Sequence, residues 1–264
     1  MTDAPTQPIF DRAAEAYDTY LVPAFFDDWA AEVTRRLGPA GDVVVDVGCG
    51  TGVLAPHLLG AGWQRVLGVD TSEGMLARAA LRAPGAAWVK GDAAALPVDD
   101  AQAHAVTSSF ALMFIPEPAN ALREMARIAR PGSPIVVSTW GSLHDIPAFQ
   151  AICDALVHVG GESAADLLRR AFSMGDVDAL AALAAEADLP DRRVATYRVD
   201  ARFPDVQVLG RVYATALGLG DETRAAELAQ ALGPRVERWT DPGTGEVTFP
   251  MTGHMIEGSG RGGA

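Results

Sequence analysis

A doubly wound α/β fold is predicted for this chain of 264 residues, and three observations predict it. A β-branched run, Val43-Val-Val-Asp-Val47, ends in glycines on alternate positions at Gly48, Gly50 and Gly52. A second apolar run, Val66-Leu-Gly-Val69, ends in an acid, Asp70. Strand-like runs then alternate with helical patterns from residue 42 to residue 140. Near-continuous apolar runs suit strands buried on both faces of a parallel sheet. Their alternation with helices implies right-handed crossovers.

The elements follow in order. Residues 1–9 are polar and proline-bearing, as expected of a loose terminus. Residues 10–37 read as two helices, the second placing Trp29, Val33 and Leu37 on one face. Five strands are expected at 42–47, 65–69, 86–90, 103–109 and 134–140. Between the last two lies a helix with Leu122, Met125, Ile128 and Ala129 on one face. Pro118 suits its first turn, and Pro131-Gly132 ends it. Beyond Trp140 the pattern becomes mainly helical: 146–159, 163–172 and 176–187, then a strand at 192–200. Helical stretches Val206–Leu217 and Thr223–Leu232 follow. A Pro242-Gly-Thr-Gly245 turn leads into a last strand at 246–256, and a glycine-rich tail closes the chain.

The glycine turn carries the first functional signal. Without Cβ atoms, Gly48, Gly50 and Gly52 let a ligand approach the backbone amides. Asp70 then places a carboxylate where a ribose offers two hydroxyl donors. A dinucleotide turn wants a third glycine one residue further on, and Val53 stands there instead. The string Asp46 to Gly52, with Asp70, resembles motif I of the class I S-adenosylmethionine-dependent methyltransferases.

The resemblance covers nearly the whole chain. It implies a Rossmann-like, seven-stranded sheet with its last strand antiparallel, and helical insertions over 141–190 and 204–240 capping an acceptor pocket. The cofactor-binding core would be 42–140, in a single domain spanning 1–264. Val89-Lys-Gly-Asp-Ala-Ala-Ala-Leu-Pro97 resembles a nucleoside-contacting loop, with Asp92 and the backbone of Ala93 reading the adenine edge. Thr107 to Ile115 resembles the strand-four exit beside which the transferred methyl lies, and implies Ser109 as a cofactor contact. Cofactor contacts are likewise implied for Asp46, Gly48, Gly50, Gly52, Asp70, Thr71 and Met75. Tyr17, Tyr20, Phe25 and Trp29 are candidates to close over the cofactor, Tyr20 and Trp29 above all. Phe110, Met113 and Trp140 are expected in the substrate pocket, where an aromatic face suits a sulfonium cation. Phe10 to Asp18 and Phe249 to His254 look like the small-molecule branch that includes ubiquinone and menaquinone methyltransferases. Ser133 and Ala187-Asp188 depart from that branch, outside the cofactor motifs.

Composition narrows the partners. A formal net charge of −13 and no basic stripe argue against a nucleic acid. The expected partner is a small-molecule acceptor, with the protein a monomer or homodimer. Cys49 and Cys153 have neither metal-ligand nor disulfide spacing, and no metal is expected. No apolar run reaches membrane-spanning length, so a cytoplasmic location without membrane partner is expected.

Methyl transfer from a sulfonium is an in-line displacement, so alignment and exclusion of water are the main tasks. A base is needed only where the acceptor must lose a proton. His144, after strand five, is the leading candidate, with Asp145 beside it; His254, His57, His158 and His104 read as structural or surface residues. The strand-four exit, Ser108-Ser109-Phe110, lacks the Asn/Asp-Pro-Pro-Tyr/Phe signature of amide-nitrogen methylation. Transfer to oxygen or carbon of a small apolar acceptor is therefore expected, in specialised bacterial metabolism. The alternative is an S-adenosylmethionine-binding enzyme that performs cyclisation, elimination or hydroxylation. A dehydrogenase is opposed by Val53 and by the absence of a Tyr-x-x-x-Lys pair, and a non-catalytic subunit by the intact motif.

Overall fold

The computed structural model describes residues 17–217, 219 and 222–261. The expected helix start at residues 10–16 and the end of the glycine-rich tail lie outside them. Seven strands form one sheet: β1 (Val43–Val47), β2 (Arg65–Asp70), β3 (Ala87–Lys90), β4 (Ala105–Ser109), β5 (Pro134–Trp140), β6 (Arg193–Phe203) and β7 (Val247–Ser259). Their order is β3-β2-β1-β4-β5-β7-β6. The pairs among β1 to β5 are all parallel, and β7 runs antiparallel between β5 and β6. The expected antiparallel last strand is present, and it reaches three residues beyond the expected end.

Burial follows position in the sheet. The β-branched interiors of β1 and β5 are fully buried, whereas edge strand β3 is mostly exposed. Helices cover both faces. On one face pack α1 (Asp27–Arg36), α2 (Leu54–Gly60), α5 (Pro147–Gly160), α8 (Val206–Ala216) and α9 (Glu222–Val236), around Trp29, Leu58, Ile152 and Phe249. On the other, α4 (Pro118–Ile128) and α7 (Val177–Glu186) bury Leu122, Met125, Ile128 and Leu180. Helix α3 (Glu73–Arg82) follows β2, and the short α6 (Asp166–Ala171) precedes α7. The apolar stripe of α4 and its Pro118 start match the sequence pattern.

The residues ahead of α1 depart from simple helix geometry. Tyr17–Phe26 is a π-helical segment containing Pro23, and it runs directly into α1. Such wide turns occur frequently at functional sites. Arg82 of α3 holds this segment, pairing with Asp18 and donating to the Thr51 carbonyl oxygen at 3.1 Å. A β1 loop, α3 and the N-terminal segment are thereby joined.

Candidate active site

Strands β1 and β2 end side by side, with Val47 in register with Val69. The chain turns sharply after β1: the Gly48 and Cys49 amides both donate to the Val69 carbonyl oxygen, at 2.7 and 3.1 Å. The Gly50 amide donates to Asp70 Oδ2 at 2.8 Å, and the Ser72 amide to Asp70 Oδ1 at 2.9 Å. Ser72 in turn caps α3, accepting from the Met75 amide at 3.1 Å. The acid is thus fixed between the glycine loop and a helix start.

The three glycines have φ of +68°, +53° and +73°, a region in which L side chains are disfavoured. Their surroundings differ. A Cβ on Gly48 would lie 2.4 Å from Ala111 Cβ, and one on Gly52 would lie 2.6 Å from the Trp88 ring. At Gly50 nothing stands within 4 Å, because the position faces a cavity. Gly50 leaves room for a ligand, whereas Gly52 lets α3 and Trp88 pack closely.

The cavity has a volume of about 470 Å³ and opens at the carboxyl ends of the parallel strands. Of the expected cofactor residues, Gly48, Gly50, Asp70, Thr71, Met75, Asp92, Ala93 and Ser109 line it together. The loop bearing Asp92 is held from behind by α4. Glu124 Oε2 accepts from the Leu96 amide at 2.9 Å, Asn120 Nδ2 donates to the Ala94 carbonyl oxygen at 3.0 Å, and Arg127 Nη1 donates to that of Val98 at 2.9 Å. The Arg127 hydrogen bonds hold the Glu124 carboxyl below its ordinary range, against the opposing effect of burial.

Aromatic side chains build the other end. Phe110 leaves β4 with φ +54°, and its ring stacks on Trp140 at 3.7 Å and 14°. A non-glycine residue in that conformation costs about 1–2 kcal/mol; the stack and the bond from the Phe110 amide to the Ser138 carbonyl oxygen at 3.0 Å hold it. Phe25, Phe26 and Phe172 surround Trp140 with centroids 5.5, 5.6 and 6.1 Å away. Phe149 and Tyr213 extend the wall, and both line the cavity.

Several expected positions fall elsewhere. Trp29 is fully buried behind the wall, edge-on to Phe110 at 5.2 Å and Trp140 at 5.7 Å, and supports the rings that face the cavity. Tyr20 is half-buried against the core, while Tyr17, Leu21, Phe25 and Phe26 face the cavity from the same segment. The spacing Tyr17, Leu21, Phe25 was the available sequence signal for that face. Met113 is buried outside the lining, where Ala111 and Phe114 stand. His144 is exposed on a 3-10 turn and does not line the cavity; Asp145 accepts from Ser142 Oγ at 2.6 Å instead of orienting the histidine. His254 is buried between Thr196 Oγ1 at 3.0 Å and the Gly175 carbonyl oxygen at 3.1 Å, a structural position.

Asp46 lies behind the loop. It is buried, its Oδ1 has no partner, and it lines a side cavity of about 40 Å³ with Tyr17, Gly48, Gly50 and Ser109. Burial, with the charge of Asp70 adding, pushes its carboxyl up to about 8. The Tyr17 phenol is also pushed far up by burial, with Arg82 opposing and Asp70 and Asp46 adding. Among the described residues, no group of three potential metal ligands occurs, and no helix is long and apolar enough to cross a membrane.

A glycine loop closing on an acid at the end of the neighbouring strand, in a sheet with one antiparallel strand beside its edge, defines a nucleoside-binding α/β protein. Comparison with known proteins agrees. The methyltransferase domain family matches residues 45–137. A malonyl-[acyl-carrier protein] O-methyltransferase of Erwinia billingiae is 30% identical over 190 residues, covering 66% of this chain and 74% of that protein. A demethylmenaquinone methyltransferase of Clavibacter sepedonicus is 37% identical over 136 residues, 49% of this chain and 55% of its own length. The chain thus spans about half the length of the demethylmenaquinone methyltransferases it matches. In fold it is similar to the phosphoethanolamine N-methyltransferase 2 of Haemonchus contortus in complex with S-adenosyl-L-methionine: TM-score 0.64, 15% identity, over 98% of this chain and 61% of that one. The chain belongs to the class I S-adenosylmethionine-dependent methyltransferases.

Proposed function

We propose that the protein transfers a methyl group from S-adenosylmethionine to oxygen or carbon of a small apolar acceptor in the cytoplasm. The observation that carries this reading is one continuous cavity with a polar end at Gly50 and Asp70 and an aromatic end at Phe110 and Trp140. The residues fit the cofactor: Gly50 leaves open space where a Cβ would intrude, and Asp70 presents a fixed carboxylate there. Asp70 would accept the ribose hydroxyls, and Asp92 with the Ala93 backbone would meet the adenine edge. Bound S-adenosylmethionine supplies an electrophilic methyl on a sulfonium.

This chain's own part is alignment and exclusion of water. Phe110 and Trp140 offer aromatic faces that stabilise nearby positive charge. Helices α5, α6, α8 and α9, within 141–190 and 204–240, would form the cap over the acceptor, with Phe149, Phe172 and Tyr213 at its inner surface. No histidine, lysine or acid of the described residues lines the aromatic end, which favours an acceptor that reacts without a side-chain carboxylate or imidazole as base.

The test is incubation with methyl-labelled S-adenosylmethionine and a panel of small apolar carboxylic acids, acidic phenols and 1,3-diketones, whose acceptor oxygen or carbon ionises near neutral pH without a protein base. Label in an organic-extractable product, with one S-adenosylhomocysteine formed per methyl transferred, is the expected result. Conversion of an acceptor without incorporation of label would contradict methyl transfer and favour a non-methylating reaction.

A further inference from the structure

Asp46 presents a problem that the proposed function does not resolve. Its side chain is 2% exposed, and Oδ1 has no hydrogen-bond partner. Leaving an ionised carboxylate there without a partner is costly, and protonation is the ordinary escape. The titratable groups around it offer little relief. Asp70 faces it from the end of β2 and repels a second negative charge. Cys49, in the loop, is buried, with its thiol pushed well above the ordinary range by burial and by the two aspartates. Tyr17 faces it from the N-terminal segment with its phenol pushed up by burial. Arg82, from α3, acts on Tyr17 and is engaged by Asp18 and the Thr51 carbonyl oxygen.

The position of Asp46 is specific. Five residues, Tyr17, Phe26, Gly48, Gly50 and Ser109, line both the large cavity and the small one that Asp46 lines. The side cavity adjoins the polar end of the large one at Gly48, Gly50 and Ser109, so a nucleoside with its ribose on Asp70 would have room to extend its other end past these residues toward Asp46. In an S-adenosyl ligand that end carries a primary ammonium, the charge that a buried carboxylate lacks here.

We propose that Asp46 holds a proton in the free protein and releases it when the ammonium of an S-adenosyl ligand enters the side cavity. The proton leaves the Asp46 carboxyl for buffer, a carboxylate–ammonium pair replaces it, and no covalent bond of the ligand changes. The inference rests on the nucleoside reading of the large cavity and adds a coupling between binding and pH.

The test is calorimetry of S-adenosylhomocysteine binding at pH 7 in buffers of different ionisation enthalpy, with 5′-methylthioadenosine as the probe lacking the ammonium. Release of roughly 0.5–1 proton per S-adenosylhomocysteine is expected, with none for 5′-methylthioadenosine. The dissociation constant should fall by up to about tenfold per pH unit between pH 6 and 7, and level off above pH 8. Asp46→Asn should bind without proton release. Binding of S-adenosylhomocysteine without proton release, or equal release with 5′-methylthioadenosine, would overturn this inference alone. Should Asp46→Asn not fold, the comparison of the two ligands on the native chain still decides. Failure of S-adenosylhomocysteine to bind at all would overturn the nucleoside reading and this inference together.

Discussion

The Gly50 amide donates to Asp70 Oδ2 at 2.8 Å, joining two motifs that lie 20 residues apart. The other oxygen of the same carboxylate accepts from Ser72. Two backbone donors therefore converge on one acid before any ligand arrives. Asp70→Asn turns an amide nitrogen toward one of those donors. A loss of about 1–3 kcal/mol is expected, since a buried donor left unpaired costs that much. Urea unfolding of the two proteins without ligand measures it; equal midpoints would show that the bonds contribute nothing.

The glycines of the loop should separate by function. Gly50→Ala places its Cβ in the open cavity and meets only the backbone cost of a positive φ, about 1–2 kcal/mol. Nucleoside affinity should fall at least tenfold. Gly52→Ala drives a Cβ into Trp88 and Ala79, so it should lower stability by several kcal/mol, more than Gly50→Ala does. Thermal unfolding and S-adenosylhomocysteine titration of both variants test the contrast, and a larger stability loss for Gly50→Ala would contradict it.

Asp46 should make the free protein less stable as pH rises. Its folded-state value, about 8, lies above the unfolded value of about 3.9. The native state therefore binds more protons between those limits. The stabilisation is complete below the unfolded value and is lost as pH climbs through the folded one. The slope for a single group cannot exceed about 1.4 kcal/mol per pH unit. Unfolding free energies from pH 5 to 8 should decline in the native chain, and Asp46→Asn should remove most of the decline. Identical slopes would place Asp46 as an ionised group in the free protein.

Arg127 should act on nucleoside binding from a distance. It pairs with Glu124 at 2.6 Å and donates to the Val98 carbonyl oxygen at 2.9 Å, behind the loop that carries Asp92 and Ala93. Arg127→Ala takes the donor from the Val98 carbonyl oxygen and leaves Glu124 with only its bond from the Leu96 amide, and a stability loss of about 1–3 kcal/mol is expected. Affinity for adenosine-bearing ligands should drop several-fold, while affinity for an acceptor bound at the aromatic end stays unchanged.

The fold was largely legible because parallel strands leave long β-branched runs, and the meeting of residues at the polar end of the cavity because they are local to strand ends. Asp46, Gly50, Asp70 and Asp92 occupy short motifs of fixed spacing. The aromatic end was less so. Phe149 and Tyr213 come from separate helices and Phe172 from the turn after a third, and apolar residues there read the same whether they line a cavity or pack in the core. Trp29 and Tyr20 show the same ambiguity in reverse, aromatic in type but turned away from the cavity. His144 sits at the expected sequence position, but a turn closed by Ser142 and Asp145 carries it outward.

The most direct measurement is calorimetric titration of the native chain and Asp70→Ala with S-adenosylhomocysteine, using NAD as the control. Micromolar binding to the native chain, at least tenfold weaker binding to the variant, and no binding of NAD are expected. Equal affinity of both proteins for S-adenosylhomocysteine would contradict the assignment of Asp70, and with it the placement of the nucleoside in this cavity.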